Sequence, residues 1–180
     1  MGEMRVLTVR QPWAWAIING GKDVENRVRN VAGSYRGPVA IHAGAAWDES
    51  SYDNPKEWEI RRAITSKQNG WPADDGEVWA SDMLEPEDER FVRSAIIGVV
   101  DLVGVHNATA NDQTPMCWEF GDRMGAKAEG KFCSPWAQAS EKHLELANPR
   151  PLANPIPFKG ALGLRKIDTD TIARINAQVA

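Results

Sequence analysis

The stretch Ala95-Ile-Ile-Gly-Val-Val-Asp-Leu-Val-Gly-Val105 constrains this 180-residue chain more than any other. It is the longest apolar candidate and is rich in β-branched residues, which suit a pleated, buried surface better than a helix. It is far shorter than the roughly 20 residues a helical bilayer span needs, and Asp101 interrupts it. A strand buried in a sheet is therefore expected here, with one compact domain, residues 1–180, built around it. Hydrophobic residues make up 42% and charged residues 26%, the balance of an ordinary globular protein, which excludes disorder along the whole length and gives no sign of a membrane protein. The N-terminus lacks a charged start followed by an apolar segment, so no secretion signal is expected. Cys117 and Cys133 lie sixteen residues apart without a CxxC pair. Neither a disulfide framework nor a Cys-rich zinc site is expected from them, and a cytoplasmic protein with reduced thiols is.

Short elements flank the central run. Met4 to Val9 alternates as a strand does. Gln11-Pro12 starts a helix with Pro12 at its first position, where the missing N–H costs nothing; Trp13 with Ile17 and Ala14 with Ile18 form its apolar face. Gly20-Gly21 stops it, one glycine taking the left-handed conformation of a helix end. Further strands are expected at Val24 to Arg27, Val39 to Ala43, His143 to Leu146 and Leu162 to Ile167. A short packed strand is expected near Trp118 and Phe120 within a loop-rich 107–133, and an edge or connector at the Pro-rich 149–157. Ser134 caps a helical turn that starts at Pro135-Trp136, and Asp170 caps a terminal helix bearing Ile172, Ile175 and Val179. Many short strands with a few helices predict a small mixed α+β barrel.

The formal net charge of −4 looks wrong for a nucleic-acid binder, but it is unevenly spread. Residues 48–90 hold five Lys/Arg against thirteen Asp/Glu, whereas the first 36 residues stand at +3. Screening confines exposed charges to about 8–10 Å, so local field decides partners. Residues 48–90 read as an acidic helical insertion, amphipathic through Trp58, Ile60 and Ile64. It is a solvated face in the simplest account, and otherwise a protein-partner surface or an electrostatic lid.

The segment Leu7-Thr-Val-Arg-Gln-Pro-Trp-Ala-Trp-Ala-Ile-Ile-Asn-Gly-Gly-Lys-Asp-Val-Glu-Asn-Arg27 resembles the opening signature of the ASCH family of the PUA-like superfamily. Three blocks fit in the same order: Tyr35-Arg-Gly-Pro-Val-Ala-Ile-His-Ala43, the strand Ala95 to His106, and the tail from His143 to Leu152 with Pro155-Ile-Pro-Phe-Lys-Gly160. The resemblance covers most of the chain outside 48–90 and 107–133. It implies a PUA-like β-barrel with a cleft between barrel and first helix, binding of RNA or a nucleotide-like ligand, and in some members hydrolysis.

On that resemblance Arg10 and Gln11, at the strand-to-helix junction, are expected to meet an anion; alternatively Gln11 caps the helix and Arg10 pairs with a surface carboxylate. Trp13 reads as core and Trp15 as a wall of the cleft on which a base can stack. Glu25 and Arg27 share one face of a strand, and with Lys22 they form either a surface ion-pair cluster or the heart of the site. A lysine is almost wholly protonated near neutral pH, and carboxylates nearby keep it so; Lys22 is a cationic clamp first and a covalent catalyst second. Asp101, a carboxylate inside an apolar strand, needs a partner, solvent or a polar cleft; the resemblance puts an acid of this strand in the cleft. Tyr35, Arg36, His42, Arg150 and Lys159 are further nucleic-acid contacts. His42, His106 and His143 match no common metal spacing, so no metal and no cofactor is expected. Neither a GxSxG elbow nor a phosphate-binding glycine loop is present.

The leading expectation is binding of RNA, another nucleic acid or a modified nucleoside. The alternative is a hydrolase of the same fold acting on an N4-acylated cytidine-type amide or on RNA, with Lys22 activating the substrate while Glu25 and Asp101 exchange protons; some family hydrolases carry Thr at the position of Glu25. A third reading is an interaction module working through the acidic insertion.

Overall fold

The computed structural model describes residues 2–51, 60, 63, 86–111, 114–119, 126–129 and 132–179. In chain order the elements are β1 (Arg5–Gln11), α1 (Trp13–Asn19), β2 (Val24–Arg27), β3 (Gly37–Trp47), β4 (Ala95–Asn111), β5 (Thr114–Glu119), β6 (Ala126–Glu129), β7 (Lys142–Pro157), β8 (Leu164–Lys166) and α2 (Thr169–Val179). Most of the expected acidic insertion, including Trp58 and Ile64, lies outside the described residues. Ile60 and Ala63 are helical, and Ile60 is buried among Trp15, Trp47, Phe91 and Trp136.

Six strands form a mixed sheet in the order β2-β7-β4-β3-β1-β8, and β5 and β6 extend it beside β4. Among the described strands only β1 and β3 pair in parallel. The sheet is not closed into the expected barrel: among the described residues no ladder joins β2 to β1 or β8. β2 is four residues long and spends its pairing on β7. The approach to β1 is bridged by a side chain instead, the Arg27 guanidinium donating to the Thr8 carbonyl at 2.8 Å.

Strand alternation divides the core in two. Leu7, Val9, Val39, Ile41, Val100 and Leu102 face α1 and bury its Ala14, Ile17 and Ile18. Val6, Ala40, Ile96 and Val99 face the opposite way and pack on Ile172 and Ile175 of α2. Each such side chain contributes about 1.5–3 kcal/mol on full burial. Gly98 lets α1 sit on β4, since a Cβ there would meet Ile18 Cδ1 at 2.6 Å and the Arg150 carbonyl at 2.9 Å.

Several elements outrun their sequence signals. β4 continues to Asn111, and β7 includes the Pro-rich segment. Beyond Glu145 the β2 ladder has ended and, among the described strands, only β4 pairs with β7, so the prolines occupy an edge, where a missing donor is tolerated. The terminal helix starts earlier than expected: Asp168 is its cap, accepting from Thr171 N at 2.7 Å, and Asp170 lies in the first turn. Ser134 accepts from Trp136 N at 3.0 Å in a turn rather than a helix. No helix among the described residues is long and apolar enough to cross a membrane.

Candidate functional site

The end of α1 builds the centre of the site. Gly20 N and Lys22 N both donate to the Ala16 carbonyl, at 2.8 and 3.0 Å. Gly21 turns the chain at φ +74°, a conformation glycine adopts without steric cost. This tight exit carries Lys22 under the helix, where it is 4% exposed. Its Nζ lies 2.8 Å from Glu25 Oε2 and also donates to the Val24 carbonyl. Glu25, 7% exposed, pairs its other oxygen with Arg27 Nη2 at 3.0 Å. One buried carboxylate is thus held between two cations, the arrangement that makes a buried ion tolerable.

This network forms part of the wall of a cavity of about 450 Å³. Thr8, Val9 and Arg10 at the end of β1 line one side, with Trp13 at the start of α1. Asn26 and Arg27 of β2 continue the wall to Trp136 and Gln138, and the segment Ala161 to Gly163 completes it. Trp13 donates its indole N–H to Asp48 at 3.0 Å, which fixes the ring. Asn26 ties the far wall down, donating to the Trp136 carbonyl and accepting from Gln138 N, both at 3.0 Å. Arg10 is exposed and makes no hydrogen bond or ion pair among the described residues. Arg27 Nε is buried without an acceptor among them.

The structure brings Arg10, Lys22, Glu25 and Arg27 together and leaves the other expected site residues elsewhere. Asp101 does not line the cavity. Arg150 grips it at 2.7 and 3.2 Å and Asn148 donates to it at 2.9 Å, and the Arg150 guanidinium holds its carboxyl below the usual carboxylate range. Asp101 and Arg150 therefore satisfy each other across β4 and β7. Gln11 is fully buried; it donates to the Val92 carbonyl and accepts from Trp15 N, at 2.8 and 2.9 Å. The two tryptophans exchange their expected places. Trp15 is buried edge-on to Phe91, while Trp13 is half-buried and lines the cavity. Ile60 and Phe91 supply a second apolar layer against α1, which claims the Trp15 face.

His42 is 2% exposed; its Nε2 donates to the Phe158 carbonyl at 2.9 Å, and burial pushes its pKa down. Tyr35 donates to the Pro38 carbonyl at 2.8 Å beneath the Arg5 guanidinium. Arg36 is exposed and donates to the Tyr35 and Gly33 carbonyls of its own loop. Lys159 is exposed on the segment that runs on to Ala161. Residues with no clear sequence signal, Thr8, Asp48, Trp136 and Gln138, complete the walls. Asn26 was legible only as the residue facing opposite to Glu25. Among the described residues the one grouping of three or more His, Cys or acidic side chains suited to a metal lies outside this cavity, at His106, Cys117, Cys133 and His143.

The model of the ASCH domain matches residues 7–156, which run from within β1 through most of β7, and the chain belongs to the ASCH domain family.

Proposed function

We propose that the protein binds nucleic acid, with RNA the favoured ligand, by taking a single nucleotide into the cavity between β1, α1 and β2. The observation that carries this reading is the meeting of an indole surface and a buried ion network, Trp13 with Lys22, Glu25 and Arg27, around one hollow of about 450 Å³. That volume lies in the range of about 300–1,000 Å³ used for small ligands, so a splayed-out nucleotide fits and a duplex does not. Sequence-specific RNA recognition works in this way, with unstacked bases laid on aromatic side chains and read at their edges. Trp13 offers the stacking face, and Glu25 and Gln138 offer polar groups to a base edge. Arg10, exposed at the rim, offers a forked cation to phosphate. The thiols of Cys117 and Cys133, which form no disulfide, fit a reducing compartment such as the cytoplasm.

Calorimetric titration with nucleoside monophosphates and short single-stranded RNA tests this. Trp13→Ala is expected to weaken binding about 5–150-fold, the equivalent of the roughly 1–3 kcal/mol of base–aromatic stacking. The oligonucleotide's log affinity is expected to fall steeply with log salt, and the mononucleotide's less so. Wild-type affinity in a folded Trp13→Ala protein would remove the reading.

One observation favours a second reading, a hydrolase acting on an N4-acylated cytidine-type amide or on RNA. Lys22 and Glu25 both line the cavity, with Lys22 Nζ 2.8 Å from the buried carboxylate, an acid–base pair next to the space a substrate would fill. Lys22 would polarise the carbonyl and Glu25 exchange the proton, with Asp101 taking no part. Full turnover by a folded Lys22→Ala protein would exclude it.

A further inference from the structure

Three strands and one loop bring four metal-ligating side chains to a point beside β2, where His143 pairs with Asn26. His106 of β4 and His143 of β7 are direct cross-strand partners. Cys117 stands on β5, opposite Ala108, and Cys133 lies in the loop that leads to Ser134. One ligand atom from each falls within 4.8 Å of every other. His106, Cys117 and His143 are at most 1% exposed.

The three separations from His143 Nδ1 match tetrahedral edges. With Zn–S near 2.3 Å and Zn–N near 2.0–2.1 Å, tetrahedral edges come to about 3.6 Å for sulfur to nitrogen and about 3.3 Å for nitrogen to nitrogen. The Sγ atoms of Cys117 and Cys133 lie 3.7 and 3.3 Å from His143 Nδ1, and His143 Nδ1 lies 3.2 Å from His106 Nε2.

The outer contacts aim the same nitrogens inward. His143 Nε2 donates to the Gln138 carbonyl at 2.8 Å, which leaves the Nδ1 lone pair facing the cluster. His106 Nδ1 lies 3.0 Å from Glu145 Oε1, off the line of an ideal hydrogen bond; with its proton on that nitrogen, a neutral His106 presents the Nε2 lone pair to the cluster. With both outer nitrogens protonated, two lone pairs face each other at 3.2 Å, an arrangement that a cation between them makes attractive. A carboxylate or carbonyl behind each ligating imidazole is the usual support of a metal site. Gly104 is part of that support, since a Cβ there would run into the Glu145 carboxylate. Cys133 N donates to Cys117 Sγ at 3.3 Å, a contact suited to a thiolate.

We propose that His106, Cys117, Cys133 and His143 hold one zinc ion in a closed structural site. Tetrahedral coordination by two sulfurs and two nitrogens suits zinc, and four protein ligands leave no position for substrate. Each thiol gives its proton to solvent on binding. The resulting set of Zn²⁺, two thiolates and two neutral imidazoles carries no net charge, which fits its burial. The ion would pin the loop at Cys133 to β7. That loop runs directly into Trp136 and Gln138, so the zinc would hold the far wall of the ligand cavity without touching a ligand. The inference stands apart from the nucleotide-binding reading, since the test below involves no nucleic acid.

The full chain, purified with its thiols reduced, is expected to hold about one zinc per molecule by mass spectrometry of metals. Cobalt(II) added to stripped wild-type protein is expected to give the intense ligand-field bands of a tetrahedral ion and thiolate-to-metal charge transfer. Glu145→Gln is expected to lower zinc affinity about 10–100-fold, and the Cys117→Ser/Cys133→Ser protein to lose stoichiometric zinc. The wild-type cobalt spectrum decides the matter even if that variant does not fold. An octahedral cobalt spectrum, reduced protein that takes up no zinc, or stoichiometric zinc retained by the double variant would each overturn the proposal.

Discussion

Replacing Glu25 by Gln keeps the side chain's volume and removes the one negative charge between Lys22 and Arg27. Lys22 is 4% exposed and 2.8 Å from the carboxylate. The Arg27 side chain, at 3.0 Å, is 31% exposed. Removing one partner of a buried pair typically costs about 3–5 kcal/mol. Lys22 keeps the Val24 carbonyl and Arg27 keeps the Thr8 carbonyl, so the lower end, about 3 kcal/mol, applies here. At roughly 2–4 °C per kcal/mol for a domain of this size, the melting temperature should fall by about 6–12 °C. Urea unfolding and calorimetry at neutral pH measure the loss directly. A Lys22→Met/Glu25→Leu protein separates the charge effect from packing, because an apolar pair of similar volume often replaces a buried ion pair at little cost. It should be more stable than Glu25→Gln, with clear non-additivity against the single variants. A loss below about 1 kcal/mol, the range of a surface ion pair, or strict additivity would refute the view that this network is a buried, coupled unit.

Two more outcomes test the residues that left the site. Asp101→Asn should lower stability at pH 7 by less than about 1 kcal/mol, since the pair is partly solvated. Because the folded pKa of Asp101 is depressed below 3.8, its contribution is present above that value and is lost as pH falls through the folded pKa, so wild type and variant should converge in acid urea titrations. Equal stability at pH 7 would show the Arg150 contact to be idle. Gln11→Met should cost about 1–3 kcal/mol by leaving the Val92 carbonyl and Trp15 N–H unsatisfied, while ligand affinity stays within threefold or so of wild type. Lost affinity at unchanged stability would return Gln11 to the binding surface.

Local signals carried much of the fold. The Gln11-Pro12 start and the Gly20-Gly21 stop bracket α1, and the alternation of Val24 to Arg27 gave the length of β2 and the shared face of Glu25 and Arg27. Where pairing rather than propensity sets an element's end, the sequence was mute. β4 runs on through His106 because β5 and β7 lie alongside it, not because 107–111 is apolar. Asp101 was legible as a carboxylate that needed a partner, but not whether that partner was Lys22 or Arg150. Both choices satisfy the same desolvation argument, and only the register that sets Val99 against Arg150 and Asp101 against Ala147 decides between them.

The exchange of Trp13 and Trp15 has the same origin. Trp13 and Ile17 do share a helix face, but that face ends at the cavity rim, while the face bearing Trp15 meets Trp47, Phe91 and Ile60 from distant parts of the chain. An amphipathic pattern identifies one buried face and says nothing of a second supplied by an insertion. The metal-ligating cluster is the extreme case. Spacing rules recognise zinc sites whose ligands sit on one hairpin or one helix, where geometry and sequence separation are locked together. Here the ligands come from three strands and a loop, and cross-strand register alone sets His106 against His143. Glu145 faces Gly104 in that same ladder, the one residue type that leaves room for a carboxylate behind His106. A glycine in a buried β-branched strand, two residues before a histidine, is therefore the most local trace such a site leaves.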